Sequence, residues 1–309
     1  MAVLSGGTGT PKLLQGIVEF IDQSEISVIV NTAEDVEISG LYVSPDIDTL
    51  MYTFAGVVNE DTWYGVRGDT FEGHEELKRQ GRPELLRIGD RDRRTKQRRT
   101  ELLAQGKSLS EVTATLCKQF GVAAKILPMS DDRVQTRIYT EDGPLSFHEY
   151  WVARRAKDRV RAVAFEGVES ARPAPGVLEA LEDSEAIIIG PSNPVTSIGP
   201  ILAVEEIREV LAGEKEKALA VSPVVGGAPV SGPAGSLMKG LGREVSPVGL
   251  AEIYNGLIGT LVIDRKDSSL APRIEEMGIK VVAQDLLMPD IAARVRLAKR
   301  ILTMVGIQT

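Results

Sequence analysis

Two carboxylate and two hydroxyl side chains lie within the six residues Ser44–Thr49, which read SPDIDT. Asp46 and Asp48 lie two residues apart, and paired carboxylates of this kind can hold Mg²⁺ against a diphosphate. Asp and Thr are also common at the start of a helix, so the same residues can serve as ordinary caps for the apolar run that follows. Glu34 and Asp35 form a second acidic pair. The candidate metal ligands are therefore Glu34, Asp35, Asp46 and Asp48.

A glycine-rich turn follows the first apolar segment of the chain. It reads Ser5-Gly-Gly-Thr-Gly-Thr-Pro-Lys12, and its backbone N–H groups and the helix predicted after it both attract anions. Lys12 stands where a dinucleotide-binding GxGxxG motif needs its third glycine, and no Walker A loop is present. A tight turn without a ligand is the alternative. The candidate diphosphate-binding residues are Gly6, Gly7, Thr8, Gly9, Thr10 and Lys12, together with Asn31 after the next predicted strand.

Two later loops, residues 190–199 and 225–236, are rich in glycine, proline and hydroxyl groups. Such loops can surround a nucleotide with backbone groups and short polar side chains. Both are longer and richer in small residues than plain connections between a strand and a helix. The candidate nucleotide contacts are Ser192, Asn193, Thr196, Ser197, Ser231 and Gly232.

A basic segment covers residues 91–99, where six of the nine residues are Lys or Arg. Nucleic-acid binding would combine such charge with stacking aromatic side chains, and this stretch has none. Most of these cations are therefore expected on a solvated helix face, whereas Arg87 lies among apolar residues and is less typical of a surface. The other prominent side chains are expected to have structural roles: Trp63, Trp151, His148 and the buried Cys117.

Composition narrows the class of protein. The 309 residues are 43% hydrophobic and 26% charged, as in soluble globular chains, and no apolar run approaches the ~18 residues of a membrane span. The net charge of −8 disfavours nucleic acid as a partner. One cysteine excludes an intrachain disulfide, and with only two histidines a His/Cys zinc site is improbable. The absence of a secretory signal predicts a cytoplasmic protein.

Six short apolar runs predict strands of an open, mostly parallel sheet. A strand, the glycine-rich turn, a helix over 12–21 and a second strand form the first βαβ unit. Helices near 201–211 and 290–305 predict a doubly wound α/β fold with helices on both faces. Ligands bind outside the carboxyl ends of such strands, which is where the turn and the carboxylates fall. The predicted strands are Met1–Leu4, Ile26–Val30, Ala186–Ile189, Ala218–Val221, Gly259–Ile263 and Lys280–Ala283.

The middle of the chain has a different pattern. Charged, helix-like stretches lie near 71–80, 91–105 and 108–120. The alternating run Val134–Thr140 then reaches Asp142-Gly143, a hairpin signal. We interpret residues 60–170 as a helical insertion with a small β-ribbon, within a single domain that spans residues 1–309.

Seven segments, in unbroken order from Met1 to Met238, resemble the CofD family. The resemblance implies a Rossmann-like α/β core with a helical insertion, a homodimer, and 2-phospho-L-lactate transferase activity in coenzyme F(420) biosynthesis. The segments are SGGTGTPKLL (5–14), NTAED (31–35), SPDIDT (44–49), IGDRD (88–92), LPMSDD (127–132), GPSNPVTSIGPI (190–201) and PVSGPAGSLM (229–238).

The resemblance also implies a reaction and its contacts. The phospholactyl group of lactyl-2-diphospho-5′-guanosine passes to the deazaflavin Fo (7,8-didemethyl-8-hydroxy-5-deazariboflavin) in the presence of Mg²⁺, giving F(420)-0 and GMP. Asp48 and Arg87 match the Fo contacts, although Arg87 carries over as a charge because family members vary between Lys and Arg. The loops Ser192–Ser197 and Ser231–Ser236 match contacts to the guanosine diphosphate. We hypothesise that Asp48 is catalytic and orients or deprotonates the ribityl hydroxyl.

Other functions compete with the transferase. CofD-like regulatory proteins that bind nucleotide sugars without catalysis share the glycine-rich start, but PDIDT, IGDRD and the long insertion favour the transferase. A kinase or NTPase is disfavoured by the missing Walker loop. The sequence leaves open whether the three-carbon group is lactyl, enolpyruvyl or glyceryl, and which surface forms the dimer.

Overall fold

The structure is a computed structural model that describes residues 1–308. Within these residues the strands are β1 (Ala2–Ser5), β2 (Ser27–Val30), β3 (Val36–Ile38), β4 (Leu41–Val43), β5 (Lys125–Pro128), β6 (Gln135–Thr140), β7 (Gly143–Ser146), β8 (Val160–Glu166), β9 (Ile187–Ile189), β10 (Ala218–Val221), β11 (Val224–Val225), β12 (Ala228–Pro229), β13 (Thr260–Asp264) and β14 (Lys280–Gln284). The α-helices are α1 (Gly9–Ile17), α2 (Pro45–Phe54), α3 (Glu72–Arg79), α4 (Asp90–Ala104), α5 (Leu109–Gln119), α6 (Val177–Glu182), α7 (Gly199–Ala203), α8 (Glu205–Gly213), α9 (Ala234–Gly240), α10 (Pro247–Ile253), α11 (Ala271–Glu275) and α12 (Ile291–Met304). A single π-helical turn covers Glu149–Ala153.

The central sheet has seven strands in the order β14-β13-β10-β9-β1-β2-β5, and every pairing is parallel. Its central strands are buried on both faces, which explains their continuous apolar runs. Side chains alternate between the faces, so Val3 packs into one core cluster while Ala2 and Leu4 pack into the other. The first cluster lies under α1, α2, α5 and α12, and the second under α6, α7, α8, α10 and α11. The predicted doubly wound α/β fold is confirmed.

The sheet gains its seventh strand from the stretch that was predicted to be an insertion. Strand β5 pairs with β2 at the edge of the sheet, and α5 packs on it. Residues 60–170 therefore contribute to the core as well as carrying added structure. The predicted β-ribbon is a three-stranded antiparallel sheet in the order β7-β6-β8. Strands β6 and β7 form a hairpin, and Gly143, the first residue of β7, has a φ of 114°. The single-domain interpretation of residues 1–309 stays a prediction.

Two predicted helices have different limits in the structure. Helix α1 begins at Gly9 and ends at Ile17, whereas the sequence predicted a helix over 12–21. The helix expected over 201–211 is two helices, because Val204 adopts an extended conformation with φ −72° and ψ 113° and is fully buried. Among residues 1–308, no helix combines the length and apolar character needed to cross a membrane.

Candidate active site

A cavity of about 850 Å³ opens at the carboxyl ends of the central strands. The segments that follow β1, β2, β9 and β10 all contribute to its wall, at Gly7–Gly9, Glu34, Pro191–Asn193 and Ser222–Pro223. Strand order reverses between β1 and β9, since the chain continues to one side through β2 and to the other through β9. The cavity therefore occupies the position where ligands bind in doubly wound folds.

The glycine-rich turn is held by close contacts that exclude larger side chains. Gly7 adopts a φ of 58°, in the left-handed region that favours glycine, and its N–H donates to Asp46 Oδ1 at 2.7 Å. A Cβ on Gly9 would lie 1.9 Å from the carbonyl oxygen of Pro191. Ser192 Oγ lies 2.7 Å from Thr10 Oγ1 and donates to the carbonyl oxygen of Gly6. The turn and the loop after β9 thus form one rigid wall.

The structure brings most of the predicted site residues into this one cavity. Those in its wall are Gly7, Thr8, Gly9, Lys12, Glu34, Asp46, Arg87, Ser192, Asn193, Thr196, Ser197, Ser231 and Gly232. Five predicted residues are absent from the wall: Gly6, Thr10, Asn31, Asp35 and Asp48. Gly6, Thr10 and Asn31 lie behind the wall and hold its parts together, and their predicted ligand contacts stay a prediction.

Glu34 and Asp46 are the two predicted carboxylates that line the cavity, and both are buried. Asp46 Oδ2 accepts a hydrogen bond of 2.9 Å from Asn31, but burial still raises the pKa of Asp46 to about 6. Burial and the nearby charge of Asp46 raise the pKa of Glu34 well above its ordinary value. Glu34 Oε1 has no hydrogen-bond partner among residues 1–308. The arrangement concentrates negative charge that a bound cation would neutralise.

This pair fits Mg²⁺ better than a metal with an all-protein cage. Residues 1–308 contain no group of three or more His, Cys, Asp or Glu side chains placed to hold a metal ion. Mg²⁺ is commonly bound through one or two carboxylates, with phosphate oxygens and water completing its shell. Asp35 lies outside the wall, where Ser44 donates to its carboxylate at 2.7 Å and burial raises the pKa of Asp35 to about 8. Glu34 and Asp46 are the members of the predicted set that the geometry favours as ligands.

Asp48 points away from the cavity into a buried ion cluster. Its carboxylate pairs with Lys96 Nζ at 2.8 Å and with the guanidinium of Arg99. Burial opposes its charge, but Arg99 and Lys96 keep the pKa of Asp48 below its ordinary value. Side chains two residues apart on a helix do not share a face, which separates Asp48 from Asp46 in α2. Asp48 is not among the residues of the cavity wall. Its predicted contact with Fo therefore gains no support from this geometry and stays a prediction.

The basic helix α4 is only partly the solvated face that was expected. Lys96 and Arg99 are 1% and 0% exposed, so the expectation was wrong for these two residues. They are buried because they face Asp48 of α2, whose carboxylate requires compensating charge. Asp92 also accepts from Lys96, and Tyr52 donates to Asp92 at 2.8 Å.

Aromatic residues in the cavity wall were missed at the sequence level. Trp63, Tyr64, Phe147 and Trp151 all contribute, and Trp151 is 40% exposed. Arg87 also lines the cavity, with its guanidinium 3.8 Å from the ring centre of Phe71, and it is exposed, although the sequence made it less typical of a surface. These aromatic residues come from insertions whose position relative to the sheet no local pattern specifies. The spacing of Phe147 and Trp151, one helical turn apart, was the signal available in the sequence.

His148 has the structural contact that was expected, although it also lines the cavity. Its Nε2 lies 2.7 Å from the carbonyl oxygen of Glu34. A carbonyl oxygen can only accept, so Nε2 carries the proton and donates. Burial lowers the pKa of His148, which favours the neutral ring. His148 thereby fixes the backbone of one of the two cavity carboxylates.

Comparison with known proteins shows the family of this chain. The family model described as "2-phospho-L-lactate transferase CofD" matches residues 1–300. The chain belongs to the CofD family. Curated CofD relatives named 2-phospho-L-lactate transferase include that of Methanopyrus kandleri, 49% identical over 99% of this chain and 97% of the relative. That of Methanocaldococcus jannaschii is 47% identical over 99% of this chain and 98% of the relative.

Solved structures support the fold of this CofD family member. A member of the UPF0052 family from Bacillus halodurans matches with a TM-score of 0.64, over 97% of this chain and 98% of that chain. The two sequences are 16% identical, so this likeness concerns the architecture alone.

Proposed function

We propose that this CofD family member transfers the 2-phospholactyl group of lactyl-2-diphospho-5′-guanosine to the ribityl hydroxyl of Fo, giving F(420)-0 and GMP. Relatives named 2-phospho-L-lactate transferase match nearly its full length. The observation that carries the proposal is the composition of one cavity. A glycine-rich turn and two buried carboxylates share its wall with Arg87 and an aromatic cluster, as a diphosphate donor and a tricyclic acceptor would require.

The donor is assigned to the sheet side of the cavity. The turn Gly7–Gly9 and the N-terminus of α1 favour phosphate oxygens, and Lys12 adds a positive charge. The loops around Ser192–Ser197 and Ser231–Gly232 offer hydroxyl and backbone groups for the guanosine part. Glu34 and Asp46 are proposed to hold Mg²⁺, which when bound screens the charge of the diphosphate oxygens.

The acceptor is assigned to the side where Arg87 and the aromatic residues lie. In the reaction, the ribityl oxygen forms a bond to the phosphorus of the phospholactyl group while the bond from that phosphorus to the GMP oxygen breaks. The hydroxyl proton is released from the ribityl oxygen to solvent, and GMP departs with the bonding electrons. Such a displacement depends on alignment and charge neutralisation, so the chain needs no covalent nucleophile.

The test is turnover by the purified protein with Fo, synthetic donor and Mg²⁺. We expect GMP and F(420)-0 to form in equal amounts, and both to require the metal. Parallel donors with lactyl, enolpyruvyl and glyceryl groups identify the three-carbon unit. A protein that fails to bind Fo but binds a UDP-sugar tightly would contradict the transferase and favour a nucleotide-sugar-binding regulator.

The assembly and location of the protein follow from family membership as proposals. We infer a homodimer in the cytoplasm, with small molecules as its ligands and neither nucleic acid nor membrane as a partner. Light scattering of the purified protein tests the dimer, for which a mass near twice 33.4 kDa is expected.

A further inference from the structure

Lys12 is the cation of the glycine-rich turn, and its surroundings are unusual for a lysine. It is partly buried in the cavity wall and forms no ion pair within residues 1–308. Its ammonium lies 5.1 Å from the ring centre of Trp63, which also lines the cavity. The position of this ammonium therefore depends on an aromatic face and not on a carboxylate.

Arg294 lies over the same indole ring, with its guanidinium carbon 4.7 Å from the ring centre. Arg294 is 5% exposed and is held by Glu60 at 2.7 Å and by Gln15, so its guanidinium has a fixed position. Helix α12, which carries it, packs closely on α1: a Cβ on Gly16 would lie 2.3 Å from the carbonyl oxygen of Arg294. The packing of two helices thus fixes a second cation at the indole ring that Lys12 contacts.

Trp63 is itself held in a conformation that a tryptophan seldom adopts. Its φ is 53°, in the left-handed region, while its side chain is 6% exposed. Such backbone strain persists where the surroundings over-determine it, as they do at binding sites. The backbone N–H of Trp63 donates to the carbonyl oxygen of Asn59 at 2.7 Å, and a bridge between Val58 and Val66 closes the loop.

We propose that Trp63 and Arg294 are positioning residues that hold the Lys12 ammonium toward the diphosphate group of the donor. The indole ring fixes the direction of the lysine side chain. The guanidinium at the same ring repels the ammonium, and an anionic ligand in the cavity relieves this repulsion. Burial and Arg294 both lower the pKa of Lys12, which agrees with two cations held close together. This inference rests on the proposed function, because it takes the ligand to be a diphosphate.

The test is a double-mutant cycle on GDP binding in the presence of Mg²⁺, measured by calorimetry. We expect Lys12→Met to weaken GDP binding about 10-fold and Arg294→Met about 3- to 10-fold. If Arg294 acts through Lys12, the double variant binds no more than about twofold more weakly than Lys12→Met alone. Arg296→Met is the matched control, since Arg296 is exposed on the same helix and its substitution should leave GDP binding unchanged.

Tryptophan fluorescence gives a second measurement. If Lys12 and Trp63 had only structural roles, GDP would not change the emission of Trp63. The protein has two tryptophans, so Trp151→Phe leaves Trp63 as the only one. We expect GDP to change the Trp63 emission in this background, and Lys12→Met to abolish the change. If Arg294→Met fails to fold, the cycle is repeated with Trp63→Leu, which removes the indole ring, in its place. Arg294→Lys, which keeps the positive charge, is then measured beside it.

The outcomes separate this inference from the proposed function. Two results would overturn the positioning role alone, provided that the wild type binds GDP. One is unchanged GDP binding by Arg294→Met, and the other is a loss in the double variant that equals the product of the two single losses. A wild-type protein that does not bind GDP would overturn the donor assignment, and the positioning role with it.

Discussion

The side-chain amide of Asn31 donates a hydrogen bond of 2.9 Å to Asp46 Oδ2 and a second one of 3.2 Å to the carbonyl oxygen of Thr196. Its own oxygen accepts from the backbone N–H of Ala33 at 3.0 Å. One buried amide therefore connects the end of β2, the first turn of α2 and the loop after β9. These are three of the segments that form the wall of the candidate active site, so Asn31 fixes their relative positions.

Replacing Asn31 by Ala should impair metal binding. The substitution leaves buried Asp46 without its amide donor and the Thr196 carbonyl without a partner, at a cost of about 1–3 kcal/mol. We expect the Mg²⁺ concentration for half-maximal turnover to rise about 10-fold, which corresponds to about 1.4 kcal/mol and lies in the lower half of that range. Titration of activity with Mg²⁺ measures it. Asn255→Ala, at an exposed position, is the control, and a wild-type Mg²⁺ requirement in Asn31→Ala would contradict the role.

The stabilising effect of Mg²⁺ should depend on pH through Asp46. Its pKa in the folded protein is about 6, above the ordinary value of 3.8, so folding binds protons between these values. Without metal, this group therefore reduces stability as the pH rises from about 4 to about 6. Mg²⁺ binds the ionised form, so the increase in Tm on adding Mg²⁺ should be larger at about pH 7.5 than at about pH 5.

Thermal unfolding with and without Mg²⁺ at the two pH values measures this effect. Asp46→Asn removes the titrating group and should remove most of the difference between them. An equal Mg²⁺-induced rise in Tm at both pH values in the wild type would contradict Asp46 as a ligand.

Breaking the buried ion cluster should destabilise the fold. Asp48→Asn leaves Lys96 and Arg99 without their shared anion, and Lys96→Met removes one cation. Each should lower the free energy of unfolding by about 3–5 kcal/mol, as expected when one partner of a buried pair is lost. Chemical denaturation measures it, with Arg98→Met as the control because the Arg98–Glu101 pair of the same helix is exposed.

The same variants test the predicted catalytic role of Asp48. A direct contact with the ribityl hydroxyl predicts that kcat of folded Asp48→Asn falls far below that of folded Lys96→Met. Equal kcat values would mean that Asp48 acts only by holding α2 in place. Near-normal turnover of Asp48→Asn at saturating Mg²⁺ would exclude any catalytic role.

Arg87 should contribute to Fo binding through its charge and its stacking. Arg87 lines the cavity, and its guanidinium is already placed over Phe71. We expect Arg87→Ala to weaken Fo binding about 10-fold and Arg87→Lys to retain part of the affinity, because Lys keeps the charge but stacks less well. Fluorescence titration of Fo measures both. Arg82→Ala, at an exposed position, should bind Fo as the wild type does, and wild-type affinity in Arg87→Ala would contradict the assignment.

The local sequence determined the elements and the edge of the sheet where the site lies. Strand β10 has the limits that its apolar run predicted. The predicted hairpin after Val134–Thr140 also forms, but its turn residues are Glu141 and Asp142, and Gly143 is already the first residue of β7. These features depend on neighbouring residues in the chain. Continuous apolar runs fit strands that are buried on both faces. The turn after β1 is rich in glycine because only small residues let its backbone lie so close to the loop after β9. Parallel strands then place their following loops at one edge.

Tertiary packing decided which predicted residues reach the cavity. SPDIDT gives no indication that Asp46 faces the cavity while Asp48 faces Lys96 and Arg99, about 50 residues further along the chain. The position of α4 over α2 decides this, because a buried carboxylate must lie where cations compensate it. Trp63 joins the site for a similar reason, since only the packing of α12 against α1 brings Arg294 to its ring. Such contacts between distant segments carry no local periodicity, so they exist only in the folded chain.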